Sequence, residues 1–328
     1  MMMDLKLKSI YRMKNRILTL LITIPLLASC ASNKTLESRI FSFDTFCEIK
    51  LYEGNEDNLK FVEEIITYFD KLSDNYKERD ITNVYSINHT NEDIKVDKDL
   101  YDMLKAAYEV SSKANHFNIM CGSLVKAWKA ALDQSEVLED TIINAELYKI
   151  ENSSLIFKEN NVVQRIGDAE IDLGGYVKGY VLDKIKDYLN EKQLSSYLIN
   201  AGYSSILLGK KNSKDEKFRV GINGQDGFSL LVKDKFVSTS GSSEQGATIA
   251  DKTYSHIVDP KTGSALATYD SVIVIADEGA LADALSTSLF LAPMSEIEEV
   301  EDKYNIKAIV IQDGKIIHMD NDVEATFH

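Results

Sequence analysis

Proline is almost missing from this chain, with 3 in 328 residues, and glycine is sparse at 16. That shortage excludes low-complexity and linker-rich classes. Basic residues are outnumbered, 37 Lys and Arg against 52 Asp and Glu, which gives a formal net charge of −15. Such a surface repels nucleic acid and anionic headgroups, so no nucleic-acid partner is expected. There is no GxSxG, no P-loop and no paired-cysteine metal site, and several common enzyme classes go with them. No apolar run is long enough to span a membrane comfortably; residues 17–27 come nearest. What is present is a 44% hydrophobic chain, able to build a real core in one large or two small domains.

The N-terminus reads as targeting. In "MKNRILTLLITIPLLASC", Lys14 and Arg16 precede the apolar run, and small residues precede Cys30. The ending "LASC" resembles a bacterial lipobox, which implies that Cys30 is lipidated and anchors the mature chain outside the cytoplasmic membrane. An uncleaved signal anchor is the alternative. Met13 stands directly before the basic segment, so residues 1–12 read as an upstream extension of the start. Residues 1–29 are then expected to be a signal peptide, 30–39 a tether, and 40–328 the folded domain. Losing residues 1–29 removes five basic residues and Asp4, taking the charge from −15 to −19. A phosphate ligand would therefore need local positive charge from a lysine, a helix N-terminus or a metal. Cys47 and Cys121 are the other two cysteines. Such a location permits a bridge between them, yet nothing in the sequence brings them together, and they read as unpaired thiols.

"IFSFDTFCEIKLY" (40–52) reads as a strand, and 58–72 as a helix burying Leu59, Val62, Ile65, Ile66 and Phe69. Further helical patterns cover 98–114, 123–132 and 141–150. The second half changes character, with short strand candidates in "SYLINAG", "SILLG", "FRVGIN", "SLLVKDKFVSTSG", "YSHIVD" and "SVIVIAD". Helices first and strands later favour an α+β fold, with mixed or antiparallel sheets and flanking helices, over a doubly wound one. No internal repeat and no second domain boundary is visible.

Three stretches can carry chemistry. In "IDLGGYVKGYVLDKI" (171–185) a helix is expected from near Tyr176, with Val177, Val181, Ile185 and Leu189 as its buried stripe. Gly174 and Gly175 would then offer free N–H groups at the positive end of the dipole to a phosphate, and Lys178 would add a full charge. Read alone, a tight turn with a solvated lysine serves equally well. In 277–292 a helix puts Asp283 and Thr287 on one face, and these hard oxygens suit Mg²⁺ bound to a substrate phosphate. An Asp in a first turn and a Thr bonded to its own helix would explain the same residues. "VSTSGSSE" and "SHIVDPKTGSAL" supply hydroxyls, His256 and Asp259. An imidazole at a strand end can serve as a base, although a strand histidine is often structural.

Taken together, these motifs resemble the ApbE family of FAD:protein FMN transferases over about residues 40–313. The family's "DLGGxAKGYxxD" is matched at 172–183, "INAGG" at 199–203, "STSG" at 238–241, "HIIDPxTG" at 256–263 and "ADALST" at 282–287. The resemblance implies an ApbE-like, T-fold-like architecture. It also implies that Asp172, Lys178 and Ile257 contact FAD, with Phe43 in the "MGT" position, Tyr76 in the "SxY" region, and His116, Phe117 and Asn118 at the "FD" step. The implied metal ligands are the Gly175 carbonyl with the side chains of Asp283 and Thr287, and Ser286 lies close by. Three departures stand out: Asn118 for the usual acid, Asp44 for the glycine of "MGT", and Tyr203 for the second glycine of "INAGG".

The implied reaction is Mg²⁺-dependent transfer of FMN from FAD, the substrate, to a threonine hydroxyl of an acceptor flavoprotein carrying a Ser/Thr-Gly-Ala-Thr-like sequence. AMP leaves, and Asp283 and His256 are the expected catalytic residues, His256 as base. "QGAT", ending in Thr248, matches the acceptor sequence only in part. Two alternatives stay open on sequence: a pyrophosphatase that splits FAD to FMN and AMP with water, and a lipoprotein that binds FAD without turnover.

Overall fold

The computed structural model describes residues 35–211, 216–242 and 246–327. The expected signal peptide, Cys30 and the first residues of the tether lie outside them. In chain order the elements are β1 (Leu36–Ser42), β2 (Thr45–Leu51), α1 (Glu56–Ser73), α2 (Val84–Asn88), β3 (Ile94–Lys95), α3 (Lys98–Ser111), α4 (Gly122–Asp133), α5 (Asp140–Glu151), β4 (Ser154–Lys158) and β5 (Val162–Ile166). Then come α6 (Val177–Glu191), β6 (Tyr197–Ala201), β7 (Ser205–Leu208), β8 (Phe218–Gly221), β9 (Phe228–Val232), β10 (Lys235–Gly241), β11 (Gly246–Ile249) and β12 (Lys252–Ser255). The chain closes with β13 (Ser271–Ala276), α7 (Gly279–Leu291), α8 (Ile297–Tyr304), β14 (Lys307–Gln312), β15 (Lys315–Met319) and β16 (Ala325–Phe327).

An eight-stranded antiparallel sheet, in the order β1-β2-β6-β7-β10-β13-β14-β15, forms the centre. Its two faces are both covered, which explains why β13 reads as one apolar run. Val272 and Val274 join the core beneath the helices, while Ile273 and Ile275 join a second core with Phe218, Phe228 and Leu230 of the small sheet β16-β9-β8. The helix α1 buries Leu59, Val62, Ile66, Phe69 and Leu72, and Asn55 and Asn58 close its start in a reciprocal capping box. The α+β expectation therefore holds.

Two strand expectations need correction. Residues 40–52 form a hairpin rather than one strand, because Phe43 and Asp44 both take the left-handed conformation (φ 53° and 55°) and reverse the chain. Its first strand starts at Leu36, so residues 36–39 belong to the sheet and not to a tether. Likewise "SLLVKDKFVSTSG" breaks at Asp234 (φ 52°) into β9 and β10, and the strand in "YSHIVD" ends at Ser255. No helix among the described residues is long and apolar enough to cross a membrane.

Candidate active site

The site is built on the crossing of α6 over α7, two helices that pack together with α7 lying on β10 and β13. A Cβ on Gly179 would stand 2.0 Å from the Gly279 carbonyl oxygen, and one on Gly279 2.4 Å from that of Gly179. Only glycine allows this approach. Neither helix is capped by the side chain of its own N-cap residue. Each is capped by the other: Asp183 of α6 accepts from the Gly279 and Ala280 N–H groups at 2.7 and 2.8 Å, and Asp283 of α7 accepts from the Gly179 N–H at 3.0 Å. Burial outweighs those two N–H bonds at Asp183 and pushes its carboxyl up to about 6.

Asp283 is only 4% exposed, so its second oxygen also needs partners. The hydroxyls of Ser205 and Ser238 donate to it at 2.9 and 3.0 Å. One turn on, Thr287 lies 3.4 Å from the Ser240 hydroxyl, which in turn meets Ser286 at 3.0 Å. The turn before α6 comes to the same place, because a Cβ on Gly175 would stand 2.8 Å from the Thr287 hydroxyl oxygen. Gly175 thus meets Thr287, with Asp283 one turn earlier on α7 against Gly179. Asp283 and Thr287 supply a carboxylate and a hydroxyl, the hard oxygen types that suit a divalent cation.

Asp172 closes the other side of the turn. It accepts from the Asn75 amide at 2.9 Å and from the Gly174 N–H at 2.6 Å, and its own N–H donates to the Ile119 carbonyl. The Gly174 N–H is therefore not free for a phosphate, contrary to the sequence expectation. Lys178 reaches back to the Gly174 carbonyl at 3.3 Å. Asn88 holds both backbone groups of Ile171, at 2.8 and 3.0 Å. Tyr76 is half exposed, with the Lys126 and Lys129 ammonium groups 5.0 and 5.4 Å from its ring centre. Burial pushes its phenol up, and the negative charges of Asp172, Asp44 and Glu170 add to the effect. Phe43 donates its N–H to Asp70 at 2.7 Å in a conformation that costs a phenylalanine energy.

The segment 116–118 adjoins α7 through the His116 N–H, which donates to the Ser288 hydroxyl at 3.2 Å. Phe117 is buried with its ring 6.3 Å from that of Tyr176, and the Asn118 side chain accepts from the Met120 N–H at 2.9 Å. The His116 ring stands 3.3 Å from Asp259 and 3.7 Å from Glu296. Ile257 exchanges hydrogen bonds with the Ser255 hydroxyl, and His256, partly buried, follows the end of β12. Cys47 and Cys121 are unpaired, and burial pushes the Cys47 thiol up to about 11. Thr248 lies exposed on β11.

Sequence reasoning gave no role to Asn75, Asn88, Asp183 or Ser205. Asp183 had a signal, as the last residue of the 172–183 motif, and Ser205 stands opposite Ser238 in the sheet. The asparagines lie 97 and 83 residues from the Asp172 carboxylate and the Ile171 backbone that they hold, and nothing local marks them.

A sequence model of the ApbE family matches residues 43–310. A protein of Klebsiella pneumoniae (strain 342) named FAD:protein FMN transferase is 29% identical over 272 residues, covering 77% of this chain and 83% of that protein. One of the same name from Treponema pallidum is 28% identical over 220 residues, covering 60% of this chain and 61% of that one. The crystal structure of the ApbE protein from Thermotoga maritima superposes with a TM-score of 0.77 at 24% identity, covering 88% of this chain and 97% of that one. The apo flavinyl transferase ApbE of Pseudomonas stutzeri gives 0.71 at 19%, covering 90% and 96%. The α6–α7 crossing, its oxygen donors and the Asp172 turn all fall inside the matched span, and this chain belongs to the ApbE family.

Proposed function

We propose that the chain is an FAD:protein FMN transferase. The observation that carries the reading is the meeting of Gly175 of the 172–178 turn with Thr287, one turn after Asp283 on α7, since transfer from a pyrophosphate needs placed charge more than a protein nucleophile. Relatives of that name support it. The threonine oxygen of an acceptor flavoprotein bonds to the FMN-side phosphorus, the bond to the bridging oxygen breaks, and AMP departs. The hydroxyl proton passes to a base on this chain, a role for which His256 stands at the end of β12.

Gly175, Asp283 and Thr287 would hold Mg²⁺, which when bound neutralises pyrophosphate charge. The hydroxyls of Ser205 and Ser238, with the Gly179 N–H, fix the Asp283 carboxylate and keep it from swinging. Asp172, held by Asn75, would orient the flavin-side contacts with Tyr76 and Phe43, and Lys178 would meet negative charge at the turn. "LASC" before the domain supports an anchored, extracytoplasmic location through Cys30.

The test mixes the purified chain with FAD, Mg²⁺ and an acceptor domain carrying the threonine sequence. An FMN-sized mass gain on the acceptor together with AMP release, both lost with EDTA and with Asp283→Ala, is expected. AMP release without an adduct would favour hydrolysis, and bound FAD with neither product would favour a binding protein.

A further inference from the structure

His116 is surrounded by acid. Its Nδ1 lies 3.3 Å from the Asp259 carboxylate and its Nε2 3.7 Å from that of Glu296, and its side chain is only 11% exposed. Neither ring nitrogen has an aligned hydrogen bond, so the ring is held between the two carboxylates by proximity. The three residues come from three segments: the 112–118 connection after α3, the 256–263 loop, and the turn Met294–Glu296 between α7 and α8. A fourth is reached through the backbone, where the His116 N–H donates to Ser288 of α7. Asn115, one residue earlier, donates its side-chain amide to the same Glu296 Oε2 at 3.0 Å.

Asp259 is also the point around which its loop is folded. Its side chain accepts from the Lys261 N–H at 2.9 Å and the Thr262 hydroxyl at 3.0 Å, and its carbonyl accepts from the Gly263 N–H at 2.8 Å. The far end is fastened by the Trp128 indole, which donates to the Gly263 carbonyl at 2.7 Å. Whatever holds Asp259 therefore holds the backbone of Ile257 and His256, two and three residues before it.

We propose that His116 is a positioning residue, an electrostatic strut between Asp259 and Glu296 that fixes the 256–263 loop against the α7–α8 connection. The family resemblance assigns His116 to FAD contact; its surroundings here assign the side chain to the loop. Without the ring, the nearly buried Asp259 carboxylate faces that of Glu296, which is 29% exposed, with no group between them, and their repulsion pushes the loop away from α7. A displacement of about 1 Å at the reacting groups is enough to cost roughly a hundredfold in rate. The consequence for catalysis rests on the transferase reading, whereas the consequence for the loop does not.

The experiment compares the full chain with His116→Ala, His116→Gln and the double variant His116→Ala/Glu296→Gln, by hydrogen exchange of residues 256–263 and by AMP release. In both single variants the loop exchanges faster while β13 keeps its protection, and kcat falls by about a hundredfold. His116→Gln keeps much of the volume, so it remains readable if the alanine variant does not fold. Added imidazole restores slow exchange to His116→Ala, and the double variant is less impaired than His116→Ala because one of the opposed charges is gone. Unchanged loop exchange in the single variants, or a double variant as impaired as the single, overturns the strut. Absence of AMP release from the unmodified chain would overturn the transferase reading alone, since the exchange comparison still reports on the loop.

Discussion

Gly179 and Gly279 meet backbone to backbone, each on a helix that carries a carboxylate capping the other. Gly179→Ala would drive a methyl group into the Gly279 carbonyl and the Asp283 side chain, so α6 and α7 must separate. A loss of about 1–3 kcal/mol in denaturant unfolding is expected. An alanine variant as stable as the parent would mean that the helices do not approach this closely.

The Asp183 carboxyl, pushed up to about 6 by burial, makes stability depend on pH in a fixed direction. The folded chain holds this proton more tightly than the unfolded one. The resulting stability is complete below about pH 4 and is lost as pH rises through about 6. Asp183→Asn removes the dependence. The stability of the parent minus that of the variant should fall by up to about 3 kcal/mol between pH 4 and pH 7, and a flat difference would contradict the assignment.

At Tyr203 the backbone is left-handed (φ 63°) and the side chain is 60% exposed, with its hydroxyl donating to Glu48. Glycine relieves that conformation and alanine does not. Tyr203→Gly should therefore exceed Tyr203→Ala in stability by about 1 kcal/mol. Equal values would mean that the turn relaxes freely.

Thr287→Val keeps the side-chain shape and deletes one oxygen donor. AMP release should fall about 10- to 100-fold, with more Mg²⁺ needed to reach half-maximal rate. Loss of rate with an unaltered Mg²⁺ requirement would remove Thr287 from the ligand set.

The helices and the motif order were legible because periodicity and short spacings are local properties. The Asp283–Thr287 pair and the buried stripe of α6 fell where the 3.6-residue period puts them. The N-terminal hairpin was not legible, since Phe43-Asp44 carries none of the usual Asn-Gly turn signal and its strain is offset by the hydrogen bond that the Phe43 N–H donates to Asp70 of α1, 27 residues on. Asn75 and Asn88 were hidden for the same reason: their partners lie far away in sequence. At Gly174 a general expectation about helix starts lost to a nearer competitor, the Asp172 carboxylate two residues back. Composition alone could not reveal that crowding.

The central sheet joins the chain's beginning to its middle: Glu48 of β2 sits opposite Asn200 of β6, about 150 residues later. During synthesis at 5–20 residues per second, roughly 10–30 s separate the appearance of the two. For that interval the inward side chains of the hairpin, Cys47, Ile49 and Leu51, have β1 on one side but no β6 on the other, and for most of it α6 is not yet made. The free edge of β2 therefore waits for its second neighbour, and a nascent chain cut short before β6 leaves that edge open.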